Sequence, residues 1–301
     1  MAITFTPANA TMLDALQGGV PYQQGQDILK EVMSNSLITQ LGKYVEMNSP
    51  EMKFDVFEGG LNAYWVEEGE RIKTTSATWA QKNMITKKLG VILPVSREYL
   101  KYKQANFFEF MKPYLAEALY KKIDIATISN VDNPFDQAID TAAKSARAKE
   151  GDIDLENYEA IVAALNDEGF EPNAFISKVS NTTALRNITR KDENNVYSRP
   201  YDHATKQLDG IPVFNINKDL AQFAKGTLYA GDFNKVLYGI PYNMNYMISQ
   251  DATLTTVTDA DDAPLNLFER EMSALRVTMD FSFLILDEKA FGSIKAPAVG
   301  G

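Results

Sequence analysis

Apolar and polar side chains alternate strictly from Leu275 to Phe283. Every odd position from 275 to 285 is apolar, and the even positions from 276 to 282 carry arginine, threonine, aspartate and serine. Consecutive side chains of a strand point to opposite faces, so this pattern predicts a long strand with one buried face. A short helical end is predicted at Asp287–Phe291, and a tail follows at residues 296–301.

A second strand is predicted at Lys88–Val95, where the sequence KLGVILPV is almost continuously apolar. Such a run is typical of a strand that is buried on both sides. A long helix is predicted to begin near Asn106, whose side chain can cap it together with Glu109. Pro113 lies inside this helix and should kink it, because proline removes one backbone hydrogen bond. The stripe expected to face the core comprises Phe107, Phe108, Phe110, Met111, Tyr114, Leu115, Ala118, Leu119, Lys122, Ile123 and Ile125.

The pattern of predicted elements changes at Asp152, and a compact α+β region is predicted for the middle of the chain. A helix is predicted at Asp154–Glu168, closed by Gly169 in a C-terminal cap position. The polar and charged segment Thr189–Asp209 is predicted to be a mobile loop. Short strands are expected at Asn173–Ser177, Ile211–Phe214, Thr227–Ala230 and Val236–Ile240.

The N-terminal residues 1–25 show little periodicity and predict an extended arm. Apolar residues at helical spacing then predict a short amphipathic helix that ends between Asn35 and Gly42. These residues are Ile28, Leu29, Val32, Met33 and Leu37.

Residues 46–88 predict a long hairpin built from strand-like runs at 53–58, 63–67 and 78–86. Glycines separate the runs, and both tryptophans of the chain, Trp65 and Trp79, lie here. Neither face of the hairpin shows a clean alternation, as a strand that covers its own core should. We therefore favour an arm that lies on a neighbouring subunit over two tryptophans in an ordinary local core.

The order of the elements suggests an inserted domain. A strand and the long helix come first, the α+β region follows, and the long strand comes last. The two ends of this order are expected to form one elongated domain into which the middle region is inserted.

No catalytic, cofactor or metal site is expected. The chain has no cysteine, which excludes disulfides and thiolate chemistry, and its only histidine, His203, lies in a polar loop without a serine motif nearby. There is no G-x-G-x-x-G, and Gly226–Gly231 is followed by Asp232 where a phosphate-binding loop needs lysine. Glu67 and Glu68 are adjacent, so on a strand they point to opposite faces and cannot share a substrate.

Charge and hydropathy limit the partners. The net charge of −10 disfavours direct recognition of DNA, which depends on lysine and arginine. The basic doublets Lys87-Lys88 and Lys121-Lys122 are interpreted as solvated faces or as inter-subunit ion-pair partners. No apolar run approaches the ~20 residues of a membrane span, so no membrane contact is expected and the protein should be made in the cytoplasm.

Several stretches resemble the Hong Kong 97-type fold of tailed-phage major capsid proteins, notably those of phages of Gram-positive hosts. They occur in the family's order along nearly the whole chain, and the set is more specific than any one stretch. They are ILKEVMSNSLITQLGKY (28–44), AYWVEEGERIKTTSATW (63–79), KLGVILPVSREYL (88–100), FFEFMKPYLAEALYKKID (107–124), NAFISK (173–178), LDGIPV (208–213), GDFNKVLYGIP (231–241) and ALRVTMDFSFLILDEKAF (274–291).

The resemblance implies an α+β capsid fold with four parts. Residues 1–45 would be the N-terminal arm and 46–87 the extended loop that lies over an adjacent subunit. Residues 88–151 and 242–301 would form the peripheral domain, with the long helix as its spine. Residues 152–241 would form the axial domain, which meets its copies at the centre of hexamers and pentamers.

The resemblance also implies a function without catalysis, as a shell protein of an icosahedral phage capsid that encloses double-stranded DNA. Expected partners are copies of itself, a separate scaffolding protein and a portal, with packaged DNA contacted without sequence specificity. Met1 close to the first helix favours scaffolding from a separate protein over a long N-terminal scaffolding segment, and no covalent cross-link is assigned. Candidate inter-subunit contacts are Tyr64, Trp65, Glu67, Arg71 and Trp79, and candidate hinges or bends are Gly59, Gly60, Gly69 and Pro113.

Two other functions are compatible with the residues. An encapsulin-like nanocompartment would use the same fold to hold cargo enzymes, and would need a groove for a cargo peptide on its inner face. A soluble enzyme of an unrecognised type is the third possibility, for which the motifs give no support.

Overall fold

The structure is a computed structural model that describes residues 22–295 apart from 145–146, 192–196, 217–225, 242–243 and 259–263. Of the arm predicted to be extended at residues 1–25, the part up to residue 21 lies outside the described residues, as does the tail at 296–301. The prediction is wrong for residues 22–25, which belong to helix α1. The α-helices are α1 Tyr22–Asn35, α2 Leu37–Leu41, α3 Arg97–Ser129, α4 Ile139–Ala142, α5 Leu155–Asp167 and α6 Thr182–Asn187. Short 3-10 turns lie at Val179–Asn181, Phe233–Lys235 and Glu288–Ala290.

The strands are distributed between two large sheets and two small hairpins. They are β1 Lys43–Tyr44, β2 Glu51–Gly59, β3 Thr78–Ser96, β4 Ala148–Glu150, β5 Ala174–Lys178, β6 Arg190–Lys191, β7 Tyr197–Ser198, β8 Tyr201–Asp202, β9 Gln207–Leu208, β10 Ile211–Ile216, β11 Gly226–Gly231, β12 Val236–Gly239, β13 Asn245–Ser249, β14 Thr253–Thr258, β15 Pro264–Asn266, β16 Met272–Ile285 and β17 Phe291–Lys295.

The first large sheet is built around β16, in the order β1-β12-β16-β3-β2 with β13 also paired to β16. β16 and β3 run antiparallel from the pair Met272–Ser96 to the pair Ser282–Thr86. The predicted strand is confirmed, and its odd positions from Leu275 to Ile285 are buried, but the prediction of a single buried face holds only for its middle, because Ala274, Ser282 and Leu284 at its ends are buried as well. The odd positions form the largest hydrophobic cluster together with α1, α2 and α3.

The prediction that Lys88–Val95 is buried on both sides is wrong. This segment is the second half of β3, where Leu89 and Val91 are half-buried against the core beneath α3. Its even positions face the other way, and Ile92 is 48% exposed. A continuous apolar run therefore marks a strand of which only one face is covered within the subunit.

The long helix is present, but it begins at Arg97 and not near Asn106. Ser96 ends β3 and is at the same time the extended N-cap residue of α3, so strand and helix join without a loop. The start was missed because residues 97–105 (REYLKYKQA) carry few apolar side chains. Pro113 lies inside the helix, as predicted.

The predicted core stripe of the helix is correct only in part. Leu115, Leu119 and Ile123 are buried, in line with the core beneath them. Phe110 and Tyr114, which were expected to widen the stripe, are 59% and 53% exposed. They lie on the solvent side of α3, where no described element covers them.

The second large sheet has the order β4-β17-β11-β5-β10-β9-β8 and carries α5 on one face. The predicted helix and the four short strands are confirmed, although the last of them, β12, belongs to the first sheet. Asp154 caps α5 by accepting a hydrogen bond from the backbone N–H of Asn157 at 2.8 Å. Gly169 follows the helix with a φ of +84°, a conformation that glycine adopts without strain.

The segment predicted as a mobile loop, Thr189–Asp209, contains short paired strands in its described part. β6 pairs with β7, and β8 pairs with β9, which in turn joins the second sheet through β10. The polar composition was mistaken for irregular structure, because short hairpins at a sheet edge bury few side chains.

Three strands lie across the domain boundaries expected from the sequence. β4 and β17 belong to the second sheet, although both fall in the segments assigned to the peripheral domain. β12 belongs to the first sheet, although it falls inside residues 152–241. The chain therefore passes between the two sheets after β11 and again after β16.

A buried carboxylate attaches the N-terminal helices to α3. Asp124 of α3 is 5% exposed and accepts hydrogen bonds from the hydroxyl of Ser36 at 2.7 Å and from the backbone N–H of Leu37 at 3.1 Å. It thus lies at the start of α2 and supplies partners to donors that a helix leaves unsatisfied at its first turn. Burial raises the pKa of Asp124 from 3.8 to about 6 in spite of these hydrogen bonds, which favour the charged form.

Replacing Asp124 should change how the stability of the subunit depends on pH. A raised pKa means that the folded state binds the proton more tightly than the unfolded state. Protonation of Asp124 therefore stabilises the folded state, and this stabilisation is complete below about pH 4 and is lost as the pH rises through about 6. Relative to Asp124→Asn, the wild-type chain should lose about 2 kcal/mol of unfolding free energy between about pH 4 and about pH 7. Urea denaturation of the unassembled subunit at several pH values measures this difference.

The matched control is Asp136→Asn, which removes an exposed carboxylate from the loop after α3. Its difference from wild type should stay nearly constant over the same pH range. A constant difference for Asp124→Asn as well would show that burial of this carboxylate has no energetic consequence.

Candidate inter-subunit surfaces

The hairpin of β2 and β3 extends from the first sheet. The strands pair antiparallel from Glu51–Ile85 to Gly59–Thr78, with a register shift between Phe57 and Gly59. In contrast to the sequence prediction, β2 alternates cleanly, since Met52, Phe54 and Val56 are half-buried and the residues between them are exposed. The segment that joins the two strands does not alternate, and it obscures the pattern of β2 in the sequence.

The base of the hairpin is held by its own subunit. Met84 is fully buried and lies in a cluster with Met47, Leu237 and Leu284. Met52 and Phe54 of β2 pack against this cluster. The hairpin therefore leaves the body of the subunit from a fixed root.

The segment 60–77, which we call the tip, joins the two strands and has all of its residues exposed. The strand predicted at 63–67 does not form, because no described strand lies beside it. Trp65 is 103% exposed, so its side chain has essentially no contact with the subunit. Burying such a side chain removes roughly 150–250 Å² of surface from water, which favours a contact with another surface.

The tip has an internal order of its own. The backbone N–H of Glu70 donates to the carbonyl of Glu67 at 3.0 Å, and Gly69 between them has a φ of +88°. A turn with a positive φ at its third position requires glycine or asparagine there. The ammonium of Lys73 lies 5.3 Å from the centre of the Tyr64 ring and ties the two sides of the tip together.

The five predicted contact residues do not form one cluster. Tyr64, Trp65, Glu67 and Arg71 all lie in the exposed tip. Trp79 lies on β3, where its ring packs edge-on against Phe57 at a centroid distance of 5.2 Å and stays 62% exposed. Trp79 and Phe57 therefore form an aromatic patch on the strands of the hairpin, whereas Trp65 is a separate exposed side chain in the tip.

The candidate hinge glycines all adopt a positive φ, which is +120° at Gly59 and +100° at Gly60. A Cβ at Gly60 would lie 2.4 Å from the carbonyl oxygen of Ser76, so the two sides of the tip approach too closely for any other residue. These glycines are required by local geometry, and their role as hinges stays a prediction.

An exposed aromatic pair on the long helix was missed by the sequence analysis. Phe110 and Tyr114 lie one turn apart with ring centroids 5.4 Å from each other. Their i, i+4 spacing was visible in the sequence, but the same spacing describes a core stripe, and only the position of α3 on the sheet distinguishes the two.

The described residues contain no constellation typical of catalysis. His203 is exposed between β8 and β9, with the Tyr201 ring 6.5 Å away. Within the described ranges, no group of three or more histidine, aspartate or glutamate side chains is placed to hold a metal ion. No helix in this part of the chain has both the length and the apolar character of a membrane span.

The sequence and the fold both match proteins of phage shells. Residues 18–296 match the phage capsid family. The major capsid protein of Staphylococcus phage 80alpha is 43% identical over 292 residues, which cover 96% of this chain and 89% of that protein. The probable major capsid protein of Mycobacterium phage L5 is 24% identical and covers 91% of this chain and 88% of its own length.

Solved structures share the fold at lower identity. The matching chain of Mycobacterium phage Adephagia superposes with a TM-score of 0.70 at 19% identity, over 88% of this chain and 91% of that one. The capsid of a native GTA particle gives a TM-score of 0.65 at 16% identity, over 89% and 91%. With a family match over nearly its whole length and a relative at 43% identity, the chain belongs to the phage capsid family and has the α+β fold of tailed-phage capsids.

Proposed function

We propose that this phage major capsid protein, a structural protein and not an enzyme, self-assembles into pentamers and hexamers of an icosahedral shell around double-stranded DNA. It is made in the cytoplasm of the host bacterium and acts in the capsid of the virion. The net charge of −10 suits a container for DNA, because an acidic wall does not trap phosphates. DNA is enclosed without sequence-specific contact.

The observation that supports assembly most directly is the exposed tip of the hairpin. A monomeric protein gains nothing from a tryptophan that is fully exposed on a projecting segment, and exposed apolar groups of this kind mark interaction sites. In a shell the same side chain is covered by a neighbour. The other exposed aromatic residues, Trp79 with Phe57 and Phe110 with Tyr114, extend this apolar surface.

The parts of the chain divide the work of assembly. The arm (1–45) reaches along neighbouring subunits, and the extended loop (46–87) lies over an adjacent one. The peripheral domain (88–151 and 242–301) contains α3 as its spine, and the axial domain (152–241) meets its copies at the centre of each capsomer. β4 and β17 of the peripheral domain pair in the second sheet, and β12 of the axial domain pairs in the first sheet. Each sheet therefore contains strands of both domains.

A separate scaffolding protein and a portal complete the assembly. The nanocompartment alternative is not retained, because the family match and the 43% identical relative are phage capsid proteins.

Negative-stain electron microscopy of the expressed protein, with and without its scaffolding protein, tests this function. Closed shells, or rings and tubes of the subunit, are the expected result. A strictly monomeric species in both samples would contradict the proposed function.

Removing both tryptophans should block assembly without unfolding the subunit. In Trp65→Ala with Trp79→Ala, each neighbour loses an aromatic anchor, while the core of the subunit is untouched because both side chains are exposed. Shell yield measured by velocity sedimentation should fall severalfold, with an unchanged far-ultraviolet circular dichroism spectrum.

The matched control replaces the same two residues by phenylalanine and keeps apolar aromatic surface at both positions. This variant should assemble. Normal shells from the double alanine variant would show that the tryptophans do not contribute to the contact between subunits.

Replacing Pro113 should stabilise the long helix and slow the maturation of the shell. Proline inside a helix costs roughly 3 kcal/mol, so Pro113→Ala should raise the unfolding free energy by about 1–3 kcal/mol. If α3 bends during expansion, the straighter variant should convert more slowly from the precursor to the expanded shell, as followed by light scattering. A more stable variant with unchanged assembly and expansion would make the bend incidental.

A further inference from the structure

Phe110 and Tyr114 of α3, which we call the aromatic pair, form an exposed apolar surface beside α1. Their rings lie 5.4 Å apart, and the two side chains are 59% and 53% exposed. Along the helix the pair is followed by Glu117, which forms an ion pair with Lys121 at 2.5 Å. The apolar surface is therefore confined to one turn of α3.

α1 runs parallel to α3 and stays in contact with it. Just beyond its end, the hydroxyl of Ser36 donates to Asp124 at 2.7 Å. Burial raises the pKa of Tyr120, and nearby carboxylates, among them Glu31 of α1, raise it further. Going back from Ser36 to Glu31 thus corresponds to going back from Asp124 to Tyr120. The two helices therefore point in the same direction.

The parallel packing brings the first residue of α1 level with the aromatic pair. Tyr22 precedes Ser36 by 14 residues, and Phe110 precedes Asp124 by 14 residues as well. At 1.5 Å per residue, both separations are about 21 Å. Positions 110, 113, 117, 120 and 124 are three or four residues apart and so lie on one side of the helix, the side that faces α1. Phe110 is therefore exposed because α1 covers this side of α3 only as far as Tyr22.

Residues 1–21 precede this point in the chain and have the composition of a segment that packs on an apolar surface. Eleven of them are apolar, and Asp14 is the only charged side chain among them. A segment that stays in water is expected to be rich in charge and poor in apolar residues. The apolar residues nearest to Tyr22 along the chain are Met12, Leu13, Leu16 and Val20.

The same chain is favoured over a second copy as the source of the cover. Leu16 precedes Tyr22 by six residues, so it lies within about 20 Å of it even in a fully extended chain. Gly18 and Gly19 between them allow the chain to turn in either direction. A short flexible connection gives an effective concentration in the millimolar range, above that of any second copy in a dilute solution of subunits.

We propose that residues 12–20 cover the aromatic pair of their own chain and so anchor the arm on α3, which leaves residues 1–11 to contact neighbouring subunits. The inference rests on the proposed function for the role of residues 1–11, whereas the anchoring contact belongs to the single subunit. It assigns Phe110 and Tyr114 to the arm and leaves Trp65 and Trp79 for neighbouring subunits.

Tryptophan fluorescence tests whether the aromatic pair is covered. Phe110→Trp, in a chain that also carries Trp65→Phe and Trp79→Phe, places the single tryptophan in the pair. In the unassembled subunit, quenching of this tryptophan by acrylamide should increase severalfold when all four apolar residues of 12–20 are replaced by serine. They are Met12, Leu13, Leu16 and Val20.

The matched control replaces Ile3 and Phe5, two apolar residues of the segment 1–11, by serine and should leave the quenching unchanged. Equal quenching with and without the four serines would overturn the inference. An equal increase in the control would overturn it as well, because the cover would then not come from residues 12–20.

Cross-linking identifies the chain that supplies the cover. The protein has no cysteine, so Leu16→Cys with Tyr114→Cys introduces one pair of thiols for a short bismaleimide linker. In the dilute, unassembled subunit this pair should give a product within one chain, located by mass spectrometry. The control pair, Leu16→Cys with Asn130→Cys, places the second thiol at an exposed position about 24 Å further along α3 and should give little product.

Failure of the inference differs from failure of the proposed function. The absence of product, equal products from both pairs, or a product between two chains, seen when the single-cysteine variants are mixed, would overturn the anchoring contact. Shells formed by the wild-type chain would support the capsid function in each of these cases. A chain that gives the product within one chain but never assembles, with or without scaffold, would contradict the proposed function and leave the anchoring contact standing.

Discussion

The structure depends on the joint where the two large sheets exchange strands. The chain leaves β11 for β12 through Asp232–Lys235, and it leaves β16 for β17 through residues 286–290. The two crossings bind each other, because the N–H of Asp232 donates to Ala290 at 3.0 Å and the N–H of Leu286 donates to Lys235 at 2.8 Å. Phe233 and Phe291 meet edge-on at 5.4 Å in the core between them, so the sheets share one hydrophobic cluster and cannot separate without exposing it.

Outside this joint, the hairpin has apolar side chains that are buried in their own subunit and others that are exposed. At the root of the hairpin, Met84 is buried in its own subunit, whereas Trp65 at the end of the same hairpin has no partner surface within it. A fixed root with a free apolar end is suited to reaching across to another copy. Because a subunit makes many such contacts at once in a closed lattice, each contact can be weak and still add to a stable shell.

The sequence correctly predicted elements whose apolar side chains are buried in the core of their own subunit. β16 was found because the apolar residues at its odd positions repeat with a period of two, and α5 was found together with the glycine that closes it, Gly169. The errors lie where local pattern and three-dimensional packing differ. The apolar run of β3 could not show that Ile92 lies on an open face, and the aromatic spacing of α3 could not show that Phe110 points to solvent.

The combination of tryptophan and carboxylates at the tip follows from what a shell has to do while it forms. An apolar contact alone is not directional and would hold a misplaced tip as well as a correct one. Charges on both surfaces favour one register and are screened by salt over about 8–10 Å, so they guide the final approach without fixing early errors. A tip that carried only charges would be held by less than about 1 kcal/mol per exposed ion pair. The tip carries both kinds of group within a few residues of one another, and in the proposed shell this would let a subunit dissociate while it is misplaced and stay bound once Trp65 is covered.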